Sequence, residues 1–193
     1  HAVLRLVEDV PRLVLAHHLY SLGRAHKDPL TVLNAARLAA SVTSTDTMRA
    51  KETAGDPSAT APSSPTTPAQ MFDTAATLAA ENEALLDLVD ASRSEAAFAP
   101  LTGVVRTAST LPASQTETWP VPFFGVSLAE LAIIGDSSGN LHLAVTDEFG
   151  NPVCQDSGPA DTAYCSFYPA QNGTFKIIVK NNSSAANTYV LLT

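Results

Sequence analysis

The sequence predicts an α+β protein in which a helical N-terminal half precedes a C-terminal antiparallel β-sandwich. Three observations carry this. Apolar residues recur every three or four positions as far as residue 99, and after Pro100 the period drops to two. Between the two helical stretches, residues 52–67 (ETAGDPSATAPSSPTT) hold no large apolar side chain. Such a segment cannot bury enough surface to offset its ordering entropy, and it reads as a linker or long loop. The expected organisation is therefore a helical hairpin over 1–51, a Pro/Ser/Thr-rich linker over 52–67, a long amphipathic helix over 68–99 and a sandwich over 100–193.

Taken in order, Leu15, Leu19 and Leu22 recur at helical spacing between Arg12 and Ala25, with Leu13, Ala16 and Tyr20 widening the stripe. Gly23 punctuates its end. Asp28 is placed to cap a second helix with Pro29 in its first turn, and Leu30, Leu33, Leu38 and the alanines form its apolar face. Thr67-Pro68-Ala69-Gln70 has the form of a capping box. Met71, Ala75, Leu78, Asn82, Leu85 and Val89 then share one face over about five turns. Beyond Pro100, alternation brings Trp119, Val121 and Phe123 to one face, as it does Leu141, Leu143 and Val145, and then Phe175, Ile177 and Val179. Pro120 and Pro122 cannot donate to a ladder and place their segment at a sheet edge or bulge. Turns are expected at Gly135–Asn140, Asp147–Asn151 and Asn172-Gly173, the last read as a hairpin turn.

The chain has 11 basic and 19 acidic side chains, a net charge of −8. No cluster of Lys or Arg is present to release counterions, which argues against nucleic acid or anionic lipid as partner. No apolar run is long enough for a membrane-spanning helix. His1, at the start in place of Met, reads as a tag or cloning remnant, or as the scar of a removed signal peptide.

The two cysteines, Cys154 and Cys165, flank a polar loop between two apparent strands. Their even number and spacing predict a disulfide tying adjacent strands together, worth roughly 3 kcal/mol in the chain-entropy model. Such a bridge implies maturation outside the reducing cytosol, in the periplasm or beyond it.

The segment from Gly135 onward resembles the bacterial pre-peptidase C-terminal-like domains. The residues that carry the likeness are Gly135-Asp136 at a strand end, the acidic turn Asp147–Asn151, the strand Gly173-Thr174-Phe175-Lys176-Ile177-Ile178-Val179-Lys180-Asn181, and the start of a last strand at Asn187-Thr188-Tyr189. The resemblance implies a jelly-roll topology, and the whole arrangement is similar to small exported proteins of proteobacteria. It also implies where calcium could sit, with Asp136, Asn140 and Asp147 as ligands for a cation that wants six to eight oxygens. Asn140 and His142 stand where such domains often carry aspartates. The competing reading makes all three ligand candidates turn residues that cap their own backbone.

No other chemistry is signalled. His17 and His18 are adjacent and point about 100° apart on a helix, so they cannot grip one metal. There is no Gly-x-Ser-x-Gly elbow and no phosphate loop. His142, near Asp136, Ser137 and Ser138, is the one nominee for proton transfer, with nothing to orient it. The acids Glu81, Glu83, Asp87 and Asp90 read as a solvated helix face. These observations favour a non-catalytic periplasmic or secreted binding module for a protein or glycan. The alternatives are a hydrolase or peptidase-associated accessory domain, and a calcium-stabilised adhesion module.

Overall fold

The structure is a computed structural model and describes residues 9–54, 66–96 and 103–193. The chain divides into two compact units, one comprising His1–Thr45 with Thr66–Val104, the other Asp46–Pro65 with Val105–Thr193.

In the first unit, α1 (Asp9–His26) and α2 (Pro29–Ala40) form the expected hairpin. Asp28 caps α2 by accepting from the amides of Leu30 and Thr31 at 3.0 and 3.3 Å, and Pro29 occupies the first turn. The Thr31 hydroxyl donates to the same carboxyl group and, as the largest cause, holds it below the usual carboxylate range. The buried face of α1 differs from the one expected. Val10, Leu13, Ala16, Tyr20 and Gly23 are buried, whereas Leu15 and Leu22 are half exposed. Two small residues explain the rotation: Ala16 and Gly23 let the helices approach closely, and a Cβ on Gly23 would stand 2.7 Å from a Val32 methyl. On α2 the alanines 35, 36 and 39 do the same, while Leu30 is exposed.

The single helix expected over 68–99 is two helices, α3 (Pro68–Leu78) and α4 (Glu83–Ala96). The capping box at Thr67 and Gln70 starts α3 as expected. The break falls at Asn82, whose side-chain oxygen accepts from the Leu85 amide at 3.2 Å. An asparagine is a better cap than helix-interior residue, because its side chain competes for nearby amides. α2 packs against α1, α3 and α4. A Tyr20–Thr74 hydroxyl contact of 3.0 Å ties α1 to α3, and an Arg93–Asp73 ion pair of 2.8 Å ties α4 to α3.

Among the described residues, ten strands make two five-stranded sheets packed as a sandwich. They are β1 (Thr43–Asp46), β2 (Glu52–Ala54), β3 (Gly103–Leu111), β4 (Thr116–Phe123), β5 (Ala129–Ile134), β6 (Leu141–Thr146), β7 (Pro152–Asp156), β8 (Thr162–Phe167), β9 (Gly173–Asn181) and β10 (Asn187–Leu192). β1 and β2 arise from the end of the expected hairpin region and the start of the expected linker. The remainder of that linker, 55–65, and residues 97–99 of the expected long helix lie outside the described residues.

One sheet runs β1-β3-β10-β5-β8 and the other β2-β4-β9-β6-β7. From β3 to β10 this is the jelly-roll order: successive strands cross between sheets, and only β6 and β7 form a hairpin within one. Asn172-Gly173, expected as a hairpin turn, is therefore part of a crossing from β8 to β9. The core takes the inward alternate residues of both sheets, among them Trp119, Val121, Leu131, Ile133, Leu143, Phe175, Ile177 and Leu191. β4 pairs with β9 along its whole length, from Thr116↔Lys180 to Phe123↔Gly173, but β2 covers only Thr116–Thr118 on the other side. Beyond that cover, Pro120 and Pro122 remove N–H groups from the open edge, which discourages pairing with another chain.

Candidate functional site

The disulfide between Cys154 and Cys165 is present. Its strands β7 and β8 belong to opposite sheets, so the bond clasps the two layers at their edges rather than joining neighbours in one ladder. Beside it, the Asp156 carboxylate accepts from the Tyr164 amide at 3.0 Å and so occupies a donor on the edge of β8.

The three calcium candidates do not come together. Asn140 and Asp147 flank β6 at opposite ends, about 20 Å apart at some 3.3 Å per strand residue. The Asp136 carboxylate accepts from the amides of Ser138 and Thr188, each at 3.0 Å. Asp147 accepts from the amides of Phe149 and Asn151 and from the Asn151 side chain at 2.7 Å. That side-chain bond is the main reason its carboxyl titrates below the usual range. Both aspartates therefore behave as turn-capping residues. Among the described residues, no three His, Cys, Asp or Glu side chains converge on one point. His142 faces away from the core on β6, with Lys180 opposite it on β9.

The two ends of the sandwich differ in chemistry. At one end lie the turns after β3, β5, β7 and β9, where polar side chains brace the backbone. The fully buried Asn181 amide donates to Leu111, Pro112 and Ala185 carbonyls at 2.8–3.2 Å, and Asn187, also fully buried, accepts from the Asp136 amide.

At the other end lie the turns after β4, β6 and β8, and here large apolar side chains face solvent. Phe124 is 79 % exposed, Val126 88 %, Phe149 81 % and Tyr168 72 %. β4 ends where β9 begins, β6 ends three residues further along β9 with Thr146 opposite Lys176, and the Val126 amide bonded to the Pro169 carbonyl joins the turns after β4 and β8. These turns are held firmly. The Gly125 amide donates to Asn172 Oδ1 at 2.8 Å, the Val126 amide donates to the Pro169 carbonyl at 2.8 Å, and Asp147 braces the third turn. Gly125 lies so close to the Gln171 backbone that a Cβ has no room. Beneath, Phe123, Phe167 and Phe175 pack edge-on or tilted against one another with ring centroids 5.0–6.0 Å apart. Val126 has φ +59°, a left-handed conformation that a β-branched residue rarely adopts. This cluster was not singled out from the sequence. The available signal was the pairs Phe123-Phe124 and Phe167-Tyr168, since in a strand one member of each must point outward.

A second feature absent from the sequence reading lies in the core. Glu117 is 1 % exposed and accepts from Lys51 Nζ, from the Ser109 hydroxyl at 3.1 Å and from the Tyr189 hydroxyl at 2.7 Å. Tyr189 in turn accepts from the Trp119 indole at 2.7 Å, and the Lys51 ammonium lies 5.4 Å from the centre of that ring. Burial, together with the adjacent carboxylate, raises the Tyr189 phenol well above its usual range. The group is fully partnered and sealed from solvent except at Lys51, as a structural latch would be.

No family model and no curated protein matches the chain. Solved structures similar to it include the Yersinia pseudotuberculosis-derived mitogen, at 15 % identity over 48 % of this chain and 85 % of that one, with a TM-score of 0.33. A periplasmic inhibitor of g-type lysozyme, PliG of Aeromonas hydrophila, matches at 12 % identity over 50 % and 91 %, with a TM-score of 0.34. The pre-peptidase C-terminal domain of a Bacillus anthracis collagenase matches at 10 % identity over 47 % and 76 %, with a TM-score of 0.27. Superpositions this loose carry no argument about activity.

Proposed function

We propose that the chain is a non-catalytic binding module acting outside the cytoplasm, with the apolar end of its sandwich as the contact surface. One observation carries this reading: at one end of the sandwich, large apolar side chains face solvent on turns that hydrogen bonds hold in place. Exposed apolar surface concentrated at one end of a domain is a liability unless something covers it. Turns fixed before contact lose little entropy on binding, which favours recognition. The disulfide supports the address, because such bonds persist in oxidising compartments.

The address is tested by trapping thiols in cells with an alkylating agent before lysis: Cys154 and Cys165 should remain unmodified unless a reductant is added first. The binding role is tested by comparing the native chain with a Phe124→Ser/Tyr168→Ser variant for retention of extracytoplasmic components. Equal retention by folded forms of both would remove the apolar end from consideration.

A further inference from the structure

Apart from the apolar end, we propose that the buried Glu117 carboxylate is a recognition site for a primary alkylammonium group. In the resting chain its occupant is the Lys51 side chain, carried on a strap, residues 47–54, that an amine from outside displaces.

The contacts of Lys51 define the ligand class. Its ammonium donates to Glu117 Oε1 and to the Ser109 hydroxyl, each at 2.5 Å, and lies 5.4 Å from the centre of the Trp119 ring. A carboxylate, a hydroxyl and the face of an indole together answer the charge and the N–H groups of an ammonium. Residues other than the lysine shape this site. Tyr189 donates to Glu117 Oε2 at 2.7 Å and accepts from the Trp119 indole at 2.7 Å, and Ser109 donates to Oε1 at 3.1 Å. With Oε2 taken by Tyr189, the two-pronged pairing that a guanidinium prefers is hindered, and a compact ammonium is favoured. Two residues before Ser109 on the same face of β3, Thr107 is buried and its hydroxyl has no partner among the described residues. Polar lining thus continues beyond the groups that Lys51 uses.

The strap buries no large apolar side chain. Met48 is 99 % exposed, β2 is exposed throughout, and only Arg49 in the strap falls short of exposed. It is held by the pairing of β2 with Thr116–Thr118, by the Thr47 amide on the Arg106 carbonyl at 2.8 Å, and by its two cations, Lys51 on Glu117 and Arg49 on the Thr193 hydroxyl at 2.8 Å. Arg49 fits imperfectly, since its Nη1 is buried with no partner among the described residues. A buried donor left unpaired costs free energy. Segments with exposed backbone bonds and little buried apolar surface open locally at less cost than the whole domain. Trp119 and Tyr189, by contrast, belong to the core and stay in place when the strap lifts. A free amine competes with a tethered one, so it acts at about millimolar concentration, the effective concentration that a short tether gives. The same ammonium can come from a small amine or from a lysine side chain of another polypeptide.

The experiment titrates the full chain with n-butylammonium chloride and, separately, with a capped Gly-Lys-Gly peptide, following Trp119 fluorescence and the hydrogen exchange of residues 47–54 by mass spectrometry. Exchange across 47–54 should speed up several-fold while β9 and β10 are unchanged. Tetramethylammonium, which has no N–H to donate, should act at least about tenfold more weakly than n-butylammonium. Lys51→Ala, which lacks its own ammonium, should bind the amine at lower concentration, with Tm climbing by several degrees. Adding Glu117→Gln to that variant should abolish both effects. A stronger response to the free amine points to a small amine as ligand, and a stronger one to the peptide points to a lysine side chain of a protein; both outcomes support the site. Binding to Lys51→Ala with no change in the native strap would show Lys51 to be a permanent partner and overturn the proposal. An equal response to tetramethylammonium, or one that survives Glu117→Gln, would overturn it as well. Should Lys51→Ala fail to fold, native-chain exchange with the two ammonium salts decides alone.

Discussion

Replacing Lys51 with methionine tests whether the buried Glu117 group holds the sandwich together. The substitution keeps the aliphatic stem over Trp119 and removes the ammonium that meets Glu117 and the Ser109 hydroxyl. A fully buried ion pair that loses one partner typically costs 3–5 kcal/mol, because the remaining charge is stranded. Two features reduce that figure here. The carboxylate keeps its bonds from Ser109 and Tyr189, and the lysine side chain is 33 % exposed, so water can approach the vacated position. We therefore expect a loss of about 2 kcal/mol at neutral pH. Trp119 is the chain's one tryptophan and lies buried in the same group, so its fluorescence during urea unfolding reports on the right region. The paired substitution Lys51→Met/Glu117→Gln should cost less than the two singles added together, with a coupling of about 1 kcal/mol or more. A Lys51→Met protein within about 0.5 kcal/mol of the native chain, or a coupling indistinguishable from zero, would show that the latch described above does not contribute to stability.

Tyr189 keeps its proton in the folded state well past the point at which an unfolded tyrosine, near pH 10, gives it up. Above that pH the unfolded chain binds fewer protons than the native one, so stability should decline by up to about 1.4 kcal/mol per pH unit from this group. Tyr189→Phe should flatten that decline in alkaline urea titrations while lowering stability at pH 7. Cys154→Ala/Cys165→Ala should lose about 3 kcal/mol in denaturant unfolding, given a separation of 11 residues. Val126→Asn should gain about 1 kcal/mol by relieving the left-handed strain, raising Tm in a calorimetric scan. Millimolar calcium and excess chelator should give the same Tm, since Asp136 and Asp147 brace separate turns at opposite ends of β6.

Much of the fold was legible because its signals are local. The Asp28 cap and the Thr67–Gln70 box are bonds between residues two or three apart, and such pairs can be read directly from a string. Alternation assigned Trp119, Leu143 and Ile177 to the core, since an inward residue must recur at every second place. What escaped is set by distant partners. The buried face of α1 depends on how Val32 meets Gly23, and nothing in the periodicity of α1 alone distinguishes Leu15 from Leu13. Alternation puts Glu117, two places before Trp119, on the inward face, but its partner Lys51 lies 66 positions away, and nothing in the string pairs the two. The break at Asn82 competed with a convincing apolar stripe, and the stripe misled because it continued on the far side of the break. For the candidate site, the sequence indicated a bridged sandwich but not its apolar end, because grouping three turns requires the crossing order of strands in two sheets.

The clasp between β7 and β8 has a bearing on how the chain reaches its native state. Pairing β3 with β10 brings together residues such as Leu111 and Asn187, far apart in sequence, whereas the sulfur atoms are separated by only 11 positions. Loop closure grows costlier with length, so the two cysteines meet at a lower entropic cost than the residues of the outermost pairings. Once oxidised, the chain already holds one strand from each future layer side by side, and the two halves can come together as leaves on a single spine. An oxidising catalyst in the compartment of maturation would therefore shorten assembly as well as reinforce the finished product.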